Sequence, residues 1–268
     1  MLRDEIKPFT PEEFKRFCDF IYETAGINLT DKKYSLVNNR LRKRVRECDF
    51  SSYNDYFEWV LSTKEGKAEL EQLINQITTN VSSFFREPKQ LKSFFEEILP
   101  LCAARQDRLR IWSAGCSTGE EPYTLAMILI KFGKIKYDIF ATDLSTRVLK
   151  HAENGIYENE QVKGIDPSTL SRFFVQDKQK DTFKVIDEVK RNVKFGVLNL
   201  IKDKYPQDLD MIFCRNVIIY FDRQTKDNVI KGFHGALKKD GTLFLGHSES
   251  LFNNPLFKFF KPSIYSKV

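Results

Sequence analysis

From about residue 105 onward, short apolar segments alternate with segments of helical periodicity. Apolar runs at 109–112 and 137–141 flank a helical pattern that extends from Pro122 to Phe132. Further apolar runs predict strands at residues 192–197, 209–214 and 242–246, and a helix capped by Asp222 precedes the last of them. Because repeated β-α units place successive strands side by side in one direction, the pattern predicts a mainly parallel sheet covered on both faces.

The first 76 residues have a different, helical pattern. A helix is predicted from Pro11, with Thr10 as its N-cap and Gly26 ending it. A second is predicted at 31–48, with Leu36, Leu41 and Val45 facing inward, and two more at 53–61 and 67–77. We therefore expect a small all-helical domain at residues 1–76, a linker with a first helix at 77–105, and the sheet domain at 106–268.

The stretch from Gly155 to Arg191 interrupts the alternation of strands and helices. Residues 182–186 within it have the composition of a strand. A small insertion that contains a strand is expected at about 170–192.

A basic run occupies the second predicted helix, and no acid occurs from Lys32 to Arg46. The residues expected to contact a partner are Arg40, Arg42, Lys43, Arg44 and Arg46. Such a run suits an anionic partner, either nucleic acid or an acidic protein face. The alternative is a solvated helix face, which is the usual meaning of a charge run.

Cysteine, histidine and hydropathy patterns exclude several classes of protein. The five cysteines lie far apart without paired spacing and the three histidines are scattered, so neither a metal site nor a disulfide framework is predicted. No apolar stretch is long enough to cross a bilayer, and the charged first ten residues do not form a secretion signal. A cytoplasmic location is expected.

Polar segments follow the predicted strands and are the candidate site. The loop from Ala114 to Pro122 contains Gly115 and Gly119, which allow close approach of a ligand, but ends in Glu120-Glu121 where a phosphate-binding loop has Lys. Two carboxylates suit a ligand with cationic groups, and S-adenosylmethionine has a sulfonium and an ammonium group. A small-residue loop alone is weak support, because tight strand–helix turns also need glycine.

Three more segments extend this candidate site. Asp143 ends the second strand, where an acid binds ribose hydroxyls in doubly wound folds; the alternative is an acid favourable to a helix N-terminus. Residues 214–222 follow a buried strand and include Asn216, which can both donate and accept. Residues 78–88 form a polar run between the helical part and the sheet part.

Several ordered motifs resemble one family. They are Thr79-Asn80-x-Ser-x-Phe-Phe-Arg86, Trp112-Ser-Ala-Gly-Cys-Ser-Thr-Gly-Glu-Glu-Pro-Tyr123, Ala141-Thr-Asp143, Asn199-Leu200, Cys214-Arg-Asn-Val-Ile-Ile-Tyr-Phe-Asp222 and Gly246-His-Ser-Glu249. Together they are similar to the chemotaxis receptor methyltransferases, the CheR family, over nearly the whole chain. The resemblance implies a helical N-terminal domain and a class I, Rossmann-like methyltransferase domain with a small antiparallel β insertion.

The resemblance also implies roles for individual residues. The expected cofactor-binding residues are Asn80, Ser82, Arg86, Gly115, Glu120 or Glu121, Asp143, Asn199, Leu200, Arg215 and Asn216. Arg86 and Tyr220 are the residues expected to orient the reacting groups. Ser82 stands where threonine is common in the family, and a hydroxyl is retained.

The implied reaction is methyl transfer from S-adenosylmethionine to glutamate carboxylates of chemotaxis receptors, with S-adenosylhomocysteine as product. The expected partners are cytoplasmic acidic receptor helices, without nucleic acid or membrane insertion, and a monomer is expected. Some relatives bind a receptor's C-terminal peptide through a glycine-containing loop of the insertion. The corresponding stretch here, 176–181, has no glycine, which favours a member without that tether. The alternatives are a methyltransferase acting on nucleic acid and a cofactor-binding signalling module without turnover.

Overall fold

The computed structural model describes residues 6–30, 33–77, 82–251 and 254–268. The chain divides into two compact units. The first comprises residues 1–79 together with Tyr220–Asp222, and the second comprises Asn80–Ile219 and Arg223–Val268.

Twelve α-helices occur in the described residues. They are α1 (Pro11–Ala25), α2 (Tyr34–Glu47), α3 (Tyr53–Ser62), α4 (Lys64–Ile77), α5 (Pro88–Ser93), α6 (Leu99–Ala103), α7 (Glu120–Phe132), α8 (Thr146–Asn154), α9 (Asn159–Val162), α10 (Pro167–Phe173), α11 (Asp187–Lys190) and α12 (Arg223–Ala236). A π-helical turn, Phe94–Ile98, joins α5 to α6, and a 3₁₀ turn covers Ile218–Tyr220.

Ten strands accompany the helices in the described residues. They are β1 (Arg108–Ala114), β2 (Lys136–Asp143), β3 (Ile156–Glu158), β4 (Phe174–Asp177), β5 (Thr182–Val185), β6 (Val193–Val197), β7 (Leu209–Cys214), β8 (Leu237–Leu245), β9 (Phe257–Lys261) and β10 (Ile264–Lys267).

Helices α1 to α4 form the first unit around an aromatic core. The predicted limits of α1 are confirmed: Thr10 and Glu13 form a capping box, and Gly26 ends the helix with φ 68°. The inward position assigned to Leu36 is wrong, since its side chain is 44% exposed and Val37 is buried beside Leu41 and Val45. The start predicted for this helix, at 31–32, lies outside the described residues.

A buried polar cluster joins α2 to α4. Arg44 donates from Nε and Nη2 to the two carboxylate oxygens of Glu69 at 2.7 and 2.6 Å, a bidentate pair. The Tyr56 hydroxyl donates to the same carboxylate at 3.0 Å. These three donors satisfy the hydrogen-bonding needs of the Glu69 carboxylate, which is buried in the helical core.

The second unit contains a seven-stranded sheet in the order β6-β2-β1-β7-β8-β10-β9. Pairs β6/β2, β2/β1, β1/β7 and β7/β8 are parallel, while β10 is antiparallel to both β8 and β9. The predicted mainly parallel sheet is confirmed. Strand order reverses between β1 and β7, and in open α/β sheets ligands bind outside the carboxyl ends of the strands at such a point.

Aromatic side chains cover both faces of this sheet. Trp112 of β1 packs on Tyr205 and on Phe233 of α12, with ring centroids 5.0 and 5.5 Å apart. Phe213 of β7 and its register partner Phe244 of β8 stack at 4.0 Å and meet Phe94. Burial of the central strands β1 and β7 on both faces explains why their apolar runs are continuous and not alternating.

A separate three-stranded antiparallel sheet has the order β3-β5-β4. It confirms the expected antiparallel insertion, and its first strand, Ile156–Glu158, lies before the stretch at about 170–192. The glycine-free turn between β4 and β5 takes its one left-handed residue from Asp181, with φ 50°. Aspartate tolerates this conformation better than most residues, so the turn closes without glycine.

Two boundaries differ from the sequence prediction. Helix α7 begins at Glu120, two residues before Pro122, because Gly119 enters it with φ 95°. Strand β8 begins at Leu237, five residues before the predicted start at 242, and continues through Asp240, which has a φ of 62°. In the part of the chain that the structure describes, no helix is long and apolar enough to span a membrane.

Candidate active site

The loop between β1 and α7 requires glycine at two positions. Gly115 has φ 82°, and a Cβ there would lie 2.4 Å from a methyl group of Val217 in the loop after β7. Gly119 has φ 95°, and a Cβ there would lie 2.8 Å from Ala152 and 2.9 Å from the Tyr157 hydroxyl. The loops after β1 and β7 are therefore in direct contact at the point where the strand order reverses.

The end of β2 holds the loop after β1 in place. The Thr142 carbonyl accepts hydrogen bonds from the amides of Gly115 and Cys116 at 2.8 and 2.9 Å. Asp143 accepts from the amides of Ser117 and Ser145 at 2.9 and 3.0 Å. Burial raises the pKa of the Asp143 carboxyl, and these amide hydrogen bonds offset part of that effect.

Asn199 and Leu200 follow β6, the strand beside β2. The amide of Leu198 donates to the Asp143 carbonyl at 3.1 Å, which brings this segment to the same edge of the sheet. The Asn199 side-chain oxygen accepts from the backbone amide of Ile201 at 2.9 Å, and the backbone amide of Asn199 donates to the Asp203 carboxylate at 2.7 Å. Asp143 and Asn199 thus follow neighbouring strands, as expected of residues that share one ligand.

Glu120 and Glu121 have different surroundings. The Thr118 hydroxyl lies 2.8 and 2.7 Å from the two oxygens of Glu120, a carboxylate that is buried. Glu121 accepts from the Ser113 hydroxyl at 2.7 Å and from Arg215 Nη1 at 3.3 Å. Burial raises the pKa of the Glu121 carboxyl, opposed by the positive charge of Arg215 and by the Ser113 hydroxyl.

Arg215 lies between two carboxylates at the end of β7. Its guanidinium pairs with Glu87 and Glu121, each at 3.3 Å, and Nη2 donates to the Arg86 carbonyl at 2.5 Å. Only 4% of the Arg215 side chain is exposed. The residue therefore links the segment before α5 to the start of α7, and Glu87 is a member of this network that the sequence analysis did not assign.

The segment around Arg86 has an unusual backbone. Phe85 and Glu87, on either side of it, have φ of 54° and 59°, the left-handed region that non-glycine residues rarely occupy. The Phe85 amide donates to the Thr124 hydroxyl at 3.1 Å, and Glu87 accepts from the His247 amide at 3.1 Å. These contacts hold Arg86, which is half-buried, in a kinked segment. Ser82 is half-buried in the same segment, and Asn80 lies outside the described residues.

The loop after β7 is organised by Glu249, a second carboxylate to which the sequence analysis gave no role. Glu249 is buried and accepts from the amides of Asn216, Gly246 and Ile219 at 2.9, 2.7 and 3.2 Å. Asn216 has φ 61°, and its buried side-chain oxygen has no hydrogen-bond partner in the part of the chain that the structure describes. In the sequence, Glu249 could have been found from its place in the segment Gly246-His-Ser-Glu249, which follows a predicted strand.

Tyr220 and the basic residues of α2 belong to the first unit. The Tyr220 carbonyl accepts from the Asn28 amide at 3.0 Å within that unit. Arg42, Lys43 and Arg46 are exposed, and Arg40 is half-buried with Nη1 donating to the Ile77 carbonyl at 2.5 Å. Arg44 has its guanidinium on Glu69 and is thus part of the helical core as well as of the basic run.

A cavity of about 620 Å³ lies between residues 200–207 and α12. Leu200 lines it, whereas Asp143, Glu121 and Arg215 do not. Its position on the α12 side of the sheet separates it from the carboxyl ends of β1 and β7, so we do not assign the cofactor to it.

The residues at the strand ends fit S-adenosylmethionine. Asn216 offers an unpartnered carbonyl oxygen, and Asp143 offers a carboxylate beside the glycine loop. Two carboxylates, Glu87 and Glu121, lie around the single positive charge of Arg215, an arrangement that suits a cationic ligand. Among the residues described, no cluster of metal-ligating side chains occurs.

Comparison with known proteins matches both parts of the chain to one family. The profile of the CheR methyltransferase all-alpha domain matches residues 12–78, and that of the CheR methyltransferase SAM binding domain matches residues 80–265. A chemotaxis protein methyltransferase of Borreliella burgdorferi is 37% identical over 270 residues, which is 96% of this chain and 95% of that protein. One from Escherichia coli is 38% identical over 244 residues, 88% of this chain and 84% of that protein. With both parts of the chain matched, the protein belongs to the CheR family and is an S-adenosylmethionine-dependent chemotaxis protein methyltransferase.

Proposed function

We propose that the enzyme transfers methyl groups to glutamate side-chain carboxylates of chemotaxis receptors and so forms glutamate methyl esters. The observation that supports this best is the state of the acidic groups at the strand ends. Glu87, Glu121 and Asp143 each already accept hydrogen bonds from a guanidinium, a hydroxyl or backbone amides. These contacts give the three carboxylates structural partners within the site, which suits an acceptor that needs no general base.

A glutamate carboxylate is such an acceptor. Its pKa in model peptides is about 4.3, so it is ionised and nucleophilic at neutral pH. Bound S-adenosylmethionine would supply an electrophilic methyl group, which would pass from its sulfur to a carboxylate oxygen, the electron pair of the broken bond staying on sulfur, without transfer of a proton. The enzyme's contribution is then mainly alignment of the reacting atoms.

We assign that alignment to Arg86 and Tyr220. Arg86 lies in the segment that Arg215 and Glu87 hold in a kinked conformation, so its backbone is held by buried contacts. An arginine in direct contact with the nucleophile would lower its reactivity, and its role is therefore orientation of the carboxylate or cofactor. The proposed cofactor contacts remain Asn80, Ser82, Arg86, Gly115, Asp143, Asn199, Leu200, Arg215 and Asn216, together with Glu120 or Glu121.

The proposed acceptor is tested by its chemistry. Wild-type enzyme would be incubated with S-adenosylmethionine labelled in the methyl group and with receptor vesicles, DNA or RNA in parallel. We expect label only on receptor protein, and we expect mild alkali to release it, because carboxylate esters hydrolyse where methylated nitrogen does not. Label on nucleic acid would support the alternative enzyme, and cofactor binding without label on any substrate would support a signalling module.

We further propose that the exposed basic residues of α2 recognise an acidic receptor helix. Arg42 and Lys43 are the clearest candidates, because both side chains are exposed while Arg44 is paired with Glu69. Complementary charge across a contact raises the association rate, and a like charge lowers it. The proposed recognition residues are Arg40, Arg42, Lys43 and Arg46, with Arg44 acting mainly through the helical core.

Reversing Arg42 and Lys43 to glutamate tests this surface. The double variant is expected to raise the KM for receptor and leave cofactor affinity unchanged, and added salt should diminish the difference from wild type. Reversal of Lys64 and Lys67, two exposed lysines at the start of α4, is the matched control. If both double variants methylate receptor at the wild-type rate at low receptor concentration, the basic run is only a solvated face.

A further inference from the structure

Glu249 joins the ends of two neighbouring strands through one buried carboxylate. It follows β8 and accepts hydrogen bonds from the amide of Gly246 at the end of that strand. It also accepts from the amides of Asn216 and Ile219, which follow β7. Strands β7 and β8 are parallel neighbours, so one side chain bridges the two loops at their carboxyl ends.

The loop after β7 depends on this carboxylate for its shape. Between Cys214 and the 3₁₀ turn at Ile218–Tyr220, residues 215–217 belong to neither a helix nor a strand, so their amides lack the partners that regular structure provides. Asn216 also has a left-handed backbone, a conformation that asparagine tolerates but that other contacts must stabilise. A buried carboxylate with three amide donors supplies those contacts.

The same arrangement sets the direction of the Asn216 side chain. A Cβ on Gly246 would lie 2.6 Å from Asn216 Nδ2, so the amide group packs directly against the glycine backbone. Asn216 Oδ1 is buried and has no hydrogen-bond partner among the described residues. A buried carbonyl oxygen without a donor costs free energy, so its retention indicates a donor from a ligand.

We propose that Glu249 is a positioning residue for the cofactor: it fixes the loop after β7 and thereby holds the Asn216 carbonyl oxygen in place to accept a hydrogen bond from an N–H or O–H group of S-adenosylmethionine. Glu249 acts through Asn216 and does not itself touch the cofactor. The proposal depends on cofactor binding and is independent of the acceptor that is methylated.

Glu249→Gln tests the proposal with little change in shape. Because the amide has one acceptor oxygen where the carboxylate has two, it cannot satisfy all three backbone donors. Calorimetry with S-adenosylhomocysteine, which cannot react, is expected to show binding weakened about tenfold, or about 1.4 kcal/mol. Hydrogen exchange of the amides at 216–219 should become faster in the unliganded variant. Glu160→Gln, at a glutamate whose side chain is 80% exposed, is the control and should change neither quantity.

A double-mutant cycle separates action through Asn216 from general damage. Asn216→Ala alone should weaken binding, and adding Glu249→Gln should weaken it little further, because the two residues act as one unit. Additive losses, or unchanged affinity in Asn216→Ala, would overturn the proposal. Wild-type affinity in Glu249→Gln would overturn it as well.

Gly246→Ala provides an independent variant in case Glu249→Gln does not fold. The added methyl would displace the Asn216 amide while Glu249 is retained, and Gly246 is not among the residues with a positive φ. We expect the same weakening of S-adenosylhomocysteine binding in a protein whose circular dichroism is that of the wild type. Normal affinity in folded Gly246→Ala would show that the direction of Asn216 does not matter, and would overturn the proposal.

Discussion

Arg44 in the helical unit and Arg215 in the sheet unit use the same chemical group in different ways. Arg44 makes two short hydrogen bonds, of 2.7 and 2.6 Å, to the buried carboxylate of Glu69, and its Nη1 donates at 2.5 Å to the exposed carboxylate of Glu47 in its own helix. Arg215 divides its guanidinium between Glu87 and Glu121, both at 3.3 Å, and the Arg86 carbonyl. The hydrogen bonds from Arg44 to Glu69 join helices α2 and α4, whereas those of Arg215 connect three separate segments of the chain.

The difference shows in how far the carboxylates are withdrawn from water. Hydrogen bonds to Glu69 raise the pKa of Arg44, and its second carboxylate, Glu47, is exposed. Both carboxylates at Arg215 are largely buried, and burial raises the pKa of the Glu121 carboxyl despite the nearby positive charge. The Arg44 cluster stabilises the helical unit by itself, whereas two buried carboxylates around one guanidinium suit a cationic ligand.

The largest expected effect comes from removing Arg215. Arg215→Met leaves Glu87 and Glu121 buried without a counter-ion, and breaking a buried pair in this way costs about 3–5 kcal/mol of unfolding free energy. It should also weaken cofactor binding, because the segment at Arg86 loses its anchor. Urea unfolding and calorimetry measure the two effects. Arg108→Met, at an exposed ion pair with Asp138, is the control, and equal stability of the two variants would contradict the prediction.

A smaller loss is expected from Arg44→Met. Glu69 keeps the Tyr56 hydroxyl as a donor, and 23% of the Arg44 side chain is exposed, so water can replace part of the lost contact. We expect a loss of about 1–3 kcal/mol in unfolding free energy and unchanged cofactor affinity. A large fall in cofactor affinity, measured by calorimetry, would remove the contrast with Arg215.

Lowering the pH through the pKa of Glu249 should increase the contribution of this residue to stability and weaken cofactor binding. Burial raises the pKa of this carboxyl above its value in the unfolded chain, so the folded state binds the proton more tightly. Its contribution to stability is therefore present at low pH and is lost as pH rises through the folded pKa. Cofactor affinity should rise over the same range, because the ionised form accepts the three amide hydrogen bonds.

Comparison of wild type with Glu249→Gln isolates this group from other carboxyls. The difference in unfolding free energy between the two proteins, followed by urea unfolding at several pH values, should shift in favour of the variant as pH rises. Calorimetry should show that the variant has lost the corresponding rise in cofactor affinity. Parallel pH profiles of the two proteins would contradict the prediction.

The smallest effect is expected at the surface of the helical unit. Lys43 is 80% exposed and lies 3.7 Å from Glu47, an exposed pair. Lys43→Ala should change the unfolding free energy by no more than about 0.5 kcal/mol. A change as large as that of Arg44→Met in the same urea experiment would show that exposed members of the basic run also stabilise the fold.

Local patterns in the sequence predicted the elements of this fold well. The N-cap at Thr10 and the helix end at Gly26 depend on residues a few positions from the helix, and both are present. The apolar runs likewise predicted the central strands β1 and β7, whose residues are buried on both faces. Leu36 was misplaced because Leu36 and Val37 are adjacent apolar residues, and the two assignments differ by only one step around the helix.

The sequence by itself determined the class of fold, the order of its elements, and the position of polar segments at the strand ends. Only the tertiary structure decided which partner each buried charge meets. Arg215 meets Glu87 and Glu121, and Glu249 meets the backbone amides of Asn216 and Ile219. Those partners lie about 30 to 130 residues apart along the chain. Helical and strand periodicity act over a few residues, whereas a buried charge takes whatever partner the folded chain brings within hydrogen-bond distance.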